Sequence, residues 1–138
     1  MPNFSRHFVT GAAVGGGANL AWQVYVLHTS PEPPRGFAET VRRIDFVKVA
    51  LFSIGGGIVA SIPDLLEPAT SPNHRGIFHS LLCGLAVFYV AFGKPSANLS
   101  LPNQFSLRAV ALSYLSHLFL DSLTPKSLPL VGLPAIAI

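Results

Sequence analysis

Residues 8–27 have the sequence FVTGAAVGGGANLAWQVYVL, in which no side chain is charged. A helix of this length, at about 1.5 Å per residue, covers the ~30 Å hydrocarbon layer of a bilayer. Three more apolar runs follow at about residues 46–62, 75–93 and 106–123, with polar or proline-containing segments between them. The pattern predicts an all-α membrane protein, a four-helix transmembrane bundle that forms a single domain over residues 1–138.

The composition supports a membrane location. The chain is 50% hydrophobic and 11% charged, and its mean hydropathy is +0.51, whereas a soluble domain carries about 25% charged residues. The nine basic residues are scattered between the apolar runs. They form no basic stripe with interleaved aromatic residues, so no nucleic-acid partner is predicted. The lipid bilayer is the expected partner, and the composition does not indicate an oligomeric state.

Two segments beside the apolar runs are predicted to lie at the membrane interface. Residues 37–48 mix apolar with basic side chains, which is typical of a short interfacial helix. Residues 127–138 contain two prolines and no charge. This tail is too short to span a bilayer, so a re-entrant or interfacial C-terminal segment is expected.

Two glycine triplets indicate how the first two helices pack. Residues 15–17 follow His7 by eight to ten positions, and residues 55–57 precede Asp64 by seven to nine. In an antiparallel pair both triplets lie ~12 Å from those two residues. Glycine is costly inside a helix unless close backbone approach offsets the cost, and small residues at matching depth let membrane helices pack. We therefore predict contact between the triplets, with two independent glycine-rich helices as the alternative.

Most of the histidines and aspartates lie at the ends of the apolar runs. If the runs cross a membrane alternately, the starts of the first and third and the ends of the second and fourth share one side. Six potential metal ligands then converge there: His7, Asp64, His74, His79, His117 and Asp121. Imidazole and carboxylate groups suit zinc, manganese or iron(II). We predict a site for one or two divalent ions, most simply zinc.

The sequence HLFLD at residues 117–121 is the sharpest local signal. A spacing of four residues puts His117 and Asp121 on one helical face, within reach of one ion. The alternative is a buried hydrogen bond between the two that ties their helix to a neighbour. Ionisable groups inside a membrane are expensive and usually functional, which favours the metal.

The sequence NHRGIFHS at residues 73–80 supplies two more histidines. His74 and His79 are five residues apart, or about 140° around a helix, so both cannot point the same way from one helix. His74 is therefore expected in the loop and His79 in the first turns of the third helix. Without the other residues of the cluster, Asp64 would be interpreted as an ordinary loop aspartate and His7 as an ordinary histidine near the N-terminus.

Two further polar residues are candidates for catalytic roles. The guanidinium of Arg75 matches the geometry of an anionic phosphate, and the alternative is an arginine that snorkels to the interface. Glu67 is the other carboxylate on this side of the bundle. It is a candidate general base, and the alternative is a solvated loop carboxylate.

The blocks IPDLLEPATSPNHRGIFHSLL (residues 62–82) and SYLSHLFLDSLTPKSLPL (residues 113–130) resemble the two signature blocks of the YdjM-like family. This family comprises small bacterial inner-membrane proteins described as metal-dependent hydrolases, one of them regulated by LexA. Its pattern, roughly PDxD, HRGxTHS and SHxxxDxxTPxG with an early histidine, covers most of the chain in matching order. The resemblance implies the same six ligands and a bacterial inner-membrane location. The histidine–aspartate helix pair is also similar to that of zinc-dependent phospholipase C and S1/P1 nucleases, which are multi-zinc helical phosphoesterases.

The sequence departs from the family pattern at several positions. The second aspartate of PDxD is Leu66, and the next position, often histidine, is Glu67. The threonine of THS is Phe78, and Lys126 and Ser127 replace the glycine after TP. The absence of a carboxylate at position 66 bears on whether a second or third metal ion is bound and on whether the protein is an active hydrolase.

The expected function is that of a membrane-embedded metal-dependent hydrolase. Its substrate would be a phosphoester in a lipid or lipid-linked molecule that enters sideways from the bilayer. The alternative is a non-enzymatic metal-binding or metal-stabilised membrane protein, for which Leu66 is the best argument. A channel or carrier is disfavoured because the ligands cluster at one end and no polar stripe crosses the bundle.

The predicted topology places both termini on the side of the site, because the number of crossings is even. Six of the nine basic residues lie on the other side: Arg35, Arg42, Arg43, Lys48, Lys94 and Arg108. Positive charge is enriched on the cytoplasmic side of membrane proteins. The site is therefore predicted to face outward, toward the periplasm of a bacterium with two membranes.

Overall fold

Helices make up all the regular secondary structure in the computed structural model, which describes residues 4–68, 75–124 and 128–129. The elements follow in the order α1 (Phe4–His28), α2 (Phe37–Arg43), α3 (Phe46–Leu66), a 3₁₀ turn (Ile77–His79), α4 (Leu81–Phe92), α5 (Lys94–Ala97) and α6 (Leu101–Ser122). The predicted all-α class is confirmed for these residues. The predicted interfacial segment contains α2, which ends before α3 begins.

The second predicted helix was expected to stop before Pro63, but α3 continues to Leu66 with this proline inside it. Proline has no amide hydrogen, so it removes one helical hydrogen bond and usually ends or kinks a helix. Here the last turn is closed beyond it, because the amide of Glu67 donates to the carbonyl of Pro63 at 2.9 Å. The extra turn makes Asp64 a helical residue.

The third and fourth predicted helices also begin elsewhere. Ser80 caps the N-terminus of α4 by accepting a hydrogen bond from the amide of Cys83 at 3.1 Å, as N-cap serines commonly do. His79 therefore lies in the 3₁₀ turn before α4 and not in its first turns. Helix α6 begins five residues earlier than predicted, at Leu101, with Pro102 in the first turn where proline is well tolerated.

One described helix, α3, is long and apolar enough to cross a membrane by length and composition. The prediction of four transmembrane helices is therefore not confirmed by this measure. Helix α1 does not meet this measure, since it contains the glycine triplet and the polar residues Asn19 and Gln23. Helix α4 does not meet it because it has only 12 residues. Helix α6 has 22 residues and includes Gln104 and Arg108 near its start.

Helices α1 and α3 form an antiparallel pair held together at glycines. A Cβ atom added to Gly56 would meet the backbone of Gly11 and Gly15, and one added to Gly15 would meet the backbone of Phe52. The predicted contact between the triplets is thus confirmed for Gly15 and Gly56, whereas Gly16 lies against Ser53, outside the second triplet. Gly17 and Gly55 instead have no atom within 4 Å of such a Cβ. Close backbone approach brings the start of α1 beside the end of α3.

Polar contacts fix the same pair at its far end and against α6. Gln23 accepts a hydrogen bond from the amide of Asp45 at 2.7 Å and donates to its carbonyl at 3.1 Å. Ser113 of α6 donates to the carbonyl of Gly11 at 3.4 Å. Helix α6 packs on both α1 and α3, and α4 packs on α6. These contacts hold the ends of α3 and α6 and the start of α1 together.

The distribution of polarity is the reverse of that in a soluble domain. The buried apolar residues are mostly alanines, whereas His79, His117 and several serines are fully buried. Large apolar side chains cover the outside, including Leu51 of α3, Leu85 of α4 and Phe119 of α6. Small and polar residues inside with apolar residues outside are what a bilayer requires.

The predicted re-entrant C-terminal segment lies almost entirely outside the described residues. Within them, the carbonyl of Pro129 accepts a hydrogen bond from the amide of Leu81 at 3.0 Å. This contact places residue 129 at the start of α4, next to the 3₁₀ turn.

Candidate metal centre

The first group of possible ligands joins α1 to α6. His7 Nε2 lies 3.6 Å from Asp121 Oδ1, and His117 Nε2 lies 3.3 Å from Asp121 Oδ2. The rings of His7 and His117 are 3.8 Å apart between centroids. All three residues are buried, and their ligand atoms lie within 4.8 Å of one another, so the group can hold one metal ion.

The second group joins α3 and the 3₁₀ turn to α6. His79 Nε2 lies 3.3 Å from Asp64 Oδ1 and 3.7 Å from Asp121 Oδ2. His117 Nε2 lies 3.8 Å from the same Asp64 oxygen. Asp64, His79 and His117 therefore form a second triad with ligand atoms within 4.8 Å of one another. His117 belongs to both triads, which makes the cluster continuous.

The separations between these atoms fit a bound cation better than direct hydrogen bonds. Hydrogen bonds from nitrogen to oxygen are usually about 2.7–3.2 Å long, and the five nitrogen–carboxylate distances here are 3.3–3.8 Å. Two ligand atoms, each about 2.1 Å from a tetrahedral zinc ion, are about 3.4 Å apart. The observed spacing matches that of ligands around an ion, and one of these pairs, His79 Nε2 with Asp64 Oδ1, is also within hydrogen-bond distance at 3.3 Å.

Several polar atoms of these residues, among them the ligand atom His117 Nε2, are also buried without a hydrogen bond. Both ring nitrogens of His117, Nδ1 of His7 and Oδ2 of Asp64 have no such partner among the described residues. Leaving a buried polar atom unsatisfied costs about 1–3 kcal/mol. A cation that accepts lone pairs would relieve part of that cost, so the residues present fit a divalent metal ion.

Glu67 lies behind His79, one helical turn after Asp64. Its Oε2 is 2.8 Å from His79 Nδ1. The same carboxylate accepts hydrogen bonds from the amides of Gly76 at 2.9 Å and Phe78 at 3.2 Å. Although partial burial opposes ionisation, the bonds from His79 and these amides hold the pKa of Glu67 below its usual range. An ionised Glu67 fixes the histidine with Nε2 toward the cluster, as carboxylates behind metal-ligating histidines commonly do.

Arg75 contributes a positive charge at the edge of the cluster. Its Nη2 donates a hydrogen bond to Asp121 Oδ1 at 3.1 Å, and its side chain is largely buried. The guanidinium therefore lies beside the carboxylate that also faces His7. An anion that approached the cluster would meet this group.

The structure brings five of the six predicted ligands together: His7, Asp64, His79, His117 and Asp121. His74 lies outside the described residues. Sequence reasoning did not find Tyr114, whose hydroxyl donates to the carbonyl of Phe78 at 2.5 Å and so fixes the 3₁₀ turn. The sequence signal for Tyr114 was its position three residues before His117. This spacing is nearly one helical turn and puts the two residues close together on α6.

Leu66 stands where the family pattern has a second aspartate. Two residues along a helix rotate a side chain by about 200°, so position 66 points away from Asp64. Leu66 is accordingly 54% exposed, whereas the Asp64 side chain is 12% exposed. A carboxylate at position 66 would lie outside the two triads in this backbone, so its loss leaves them complete.

In the described residues, helices with apolar side chains on the outside and a buried cluster of histidines and aspartates are typical of a membrane protein with a candidate metal centre. The model of the YdjM inner membrane protein family matches residues 1–135, so the chain belongs to that family and its location is the inner membrane. This confirms the family indicated by the signature blocks. No curated protein and no solved structure matches the chain significantly.

Proposed function

We propose that the protein is a membrane-embedded, metal-dependent hydrolase of a phosphoester in a lipid or lipid-linked substrate. The observation that carries this proposal is the pair of triads that share His117, with nitrogen–oxygen separations suited to ligands around an ion. In this proposal α1, α3, α4 and α6 cross the inner membrane, and the centre lies at the outward end. The opposite end of the bundle, which faces the cytoplasm in this proposal, then carries most of the basic residues, as the positive-inside rule favours.

The proposed ligands divide between two zinc ions. His7 and Asp121 hold one, Asp64 and His79 hold the other, and His117 lies within reach of both. His74 is proposed as a further ligand from its motif alone. A zinc ion held by these residues would supply a water of lowered pKa, near about 7, and would polarise a phosphoryl oxygen.

Arg75 is proposed to orient the substrate. Guanidinium groups bind phosphate through paired hydrogen bonds, and Arg75 is held at the cluster by Asp121. The ion pair keeps the side chain extended toward the centre before substrate arrives. A phosphate placed at the ligands would then meet a positive charge already in position.

Glu67 is proposed to position His79. Its carboxylate already accepts hydrogen bonds from two backbone amides and lies against His79 Nδ1. Because these contacts occupy both carboxylate oxygens of Glu67, a positioning role is favoured over the role of general base that the sequence suggested. The bond to Nδ1 leaves Nε2 as the ligand nitrogen.

Glu67→Gln tests the positioning role. We expect zinc affinity to fall by about 10–100-fold, the usual effect of removing a carboxylate behind a ligating histidine. Competition with a chromogenic chelator in detergent measures it. Glu32→Gln, in the loop after α1, is the control and should leave affinity unchanged. Unchanged affinity with lost hydrolysis in Glu67→Gln would contradict positioning and favour proton transfer.

A structural metal site is the second candidate, because the ligands are so deeply buried. His79 and His117 have no exposed surface and Asp121 is 2% exposed. Structural zinc sites are closed by four protein ligands, whereas catalytic sites keep an open position. Among the described residues each triad offers three ligands, which favours the catalytic proposal, whereas His74 or Asp121 as a fourth ligand to one ion would favour the structural one.

Hydrolysis assays on purified protein decide between the two. We expect zinc-loaded protein to hydrolyse a phospholipid or a phosphodiester, and chelation or His79→Ala to reduce the rate to background. The assay follows phosphate or headgroup release from bis-p-nitrophenyl phosphate and a phospholipid panel. His28→Ala, at the opposite end of α1, should behave as wild type. Bound zinc without turnover of any of these substrates would favour the structural role.

A further inference from the structure

A wholly apolar groove lies between three helices, and Tyr114 is the residue of α6 that lines it nearest to the metal centre along the chain. It has a volume of about 400 Å³ and no polar lining surface. The residues that line it include Val59 and Ile62 of α3, Ala86, Val87 and Val90 of α4, and Tyr114 of α6.

The groove exists because α3 and α4 scarcely touch. Helix α3 packs on α1 and α6, and α4 packs on α6 and α5, while direct contact between α3 and α4 is marginal in the described part of the chain. Ala86 and Val90 are exposed at this opening. In an inner-membrane protein, the surroundings of such an opening are lipid.

The groove ends beside the metal centre. Tyr114 lies three residues, nearly one helical turn, before His117 on α6, and Ile62 lies about 3 Å before Asp64 along α3, on the opposite face of that helix. The hydroxyl of Tyr114 binds the carbonyl of Phe78, the residue before His79. Along α6 the lining continues to Leu107, ten residues from His117 and so about 15 Å from it.

Charge changes sharply at this end of the groove. The lining itself carries none, and Arg75 lies beyond it in contact with Asp121. A molecule with an anionic phosphate attached to an apolar chain matches both parts. A free phosphate matches only the centre.

We propose that the groove holds one acyl chain of a phospholipid whose phosphate reaches the metal centre. The reaction of that phosphate at the metal centre rests on the proposed function. The binding of an acyl chain in the groove does not. A single flexible chain enters sideways between α3 and α4 without separating them.

Photolabelling tests the occupant. The protein is placed in phosphatidylcholine nanodiscs with phosphatidylglycerol that carries a diazirine in one acyl chain, and labelled peptides are identified by mass spectrometry. We expect labels on the groove faces of α3 and α4. Ala86→Trp should cut labelling there by about tenfold, the ratio that corresponds to 1.4 kcal/mol of lost affinity.

The matched control is Leu85→Trp, because Leu85 is the exposed neighbour of Ala86 and does not line the groove. It should leave groove labelling unchanged. Val90→Trp blocks the far end of the groove and repeats the test if Ala86→Trp fails to fold. Labelling spread evenly over the outer surface, or groove labelling unchanged by both blocking variants, would overturn the proposal.

Measured rates of hydrolysis distinguish a failure of this inference from a failure of the proposed function. If both hold, Ala86→Trp loses phospholipid hydrolysis but still cleaves water-soluble bis-p-nitrophenyl phosphate. Groove labelling that Ala86→Trp lowers, in a protein that hydrolyses nothing, supports the lipid site and contradicts the hydrolase. Hydrolysis of phospholipid at the wild-type rate in both blocking variants contradicts the groove as the substrate site and leaves the hydrolase standing.

Discussion

His117→Ala is expected to remove nearly all bound metal, because both triads contain this residue. Wild-type protein purified in detergent should retain about one to two transition-metal ions, chiefly zinc, since each triad can hold one. Asp121→Ala should also remove most of the metal, because Asp121 faces His7, His79 and His117. Elemental analysis of wild type and variants measures the loss directly.

Two comparison variants sharpen this result. His7→Ala disrupts only the first triad, so about half of the metal should remain if two ions are bound. His28→Ala should change nothing, because His28 lies 21 residues along α1 from His7, or about 30 Å away. Wild type that binds no metal on reconstitution, or equal loss in His28→Ala, would exclude the centre and the hydrolase with it.

Gly56→Ala is expected to produce the largest loss of stability. The added methyl group would meet the backbone of Gly11, Gly15 Cα at 3.1 Å and Ser113 Oγ at 2.9 Å. Backbone atoms cannot move aside without separating α1 from α3. Overpacking of this kind costs about 1–3 kcal/mol, and occasionally more. Thermal unfolding in detergent measures the change, and metal content should fall because His7 moves away from Asp64.

Gly55→Ala is the matched control. A Cβ at Gly55 has no atom within 4 Å, so the methyl group is accommodated. Replacing glycine by alanine inside a helix raises stability by up to about 1 kcal/mol. Equal destabilisation by both substitutions would contradict the assignment of the α1–α3 contact to Gly56.

The cluster could be predicted from the sequence because it depends on topology alone. Alternating helices bring starts and ends together whatever their exact lengths, so His7, Asp64 and Asp121 were found from position in their runs. The spacing of His117 and Asp121 follows from the pitch of a helix. The contact of Gly15 with Gly56 was predicted on similar grounds, from matching depth and small size.

Features that depend on local hydrogen bonds could not be predicted in the same way. Proline normally ends a helix, so the turn of α3 beyond Pro63 was missed, and with it the helical face that Asp64 shares with Glu67. The carboxylate of Glu67 is turned toward His79 by two amides of the following loop. No periodicity in the sequence encodes that contact. Hydropathy likewise assigns a membrane span to α3 alone among the described helices, because glycine and polar residues lower the hydropathy of α1 and α6.

In the proposed arrangement, in which α3 and α4 both cross the inner membrane, the lengths of these helices imply an uneven membrane around the protein. Helix α3 has 21 residues and α4 has 12, which correspond to about 31 Å and 18 Å. Lipids match the hydrophobic height of the surface that they touch, and a short helix thins the bilayer beside it. We therefore expect a local dimple along α4, where headgroups sink toward the plane of His79. Hydrophobic mismatch would then shorten the path by which a lipid phosphate reaches the buried ligands.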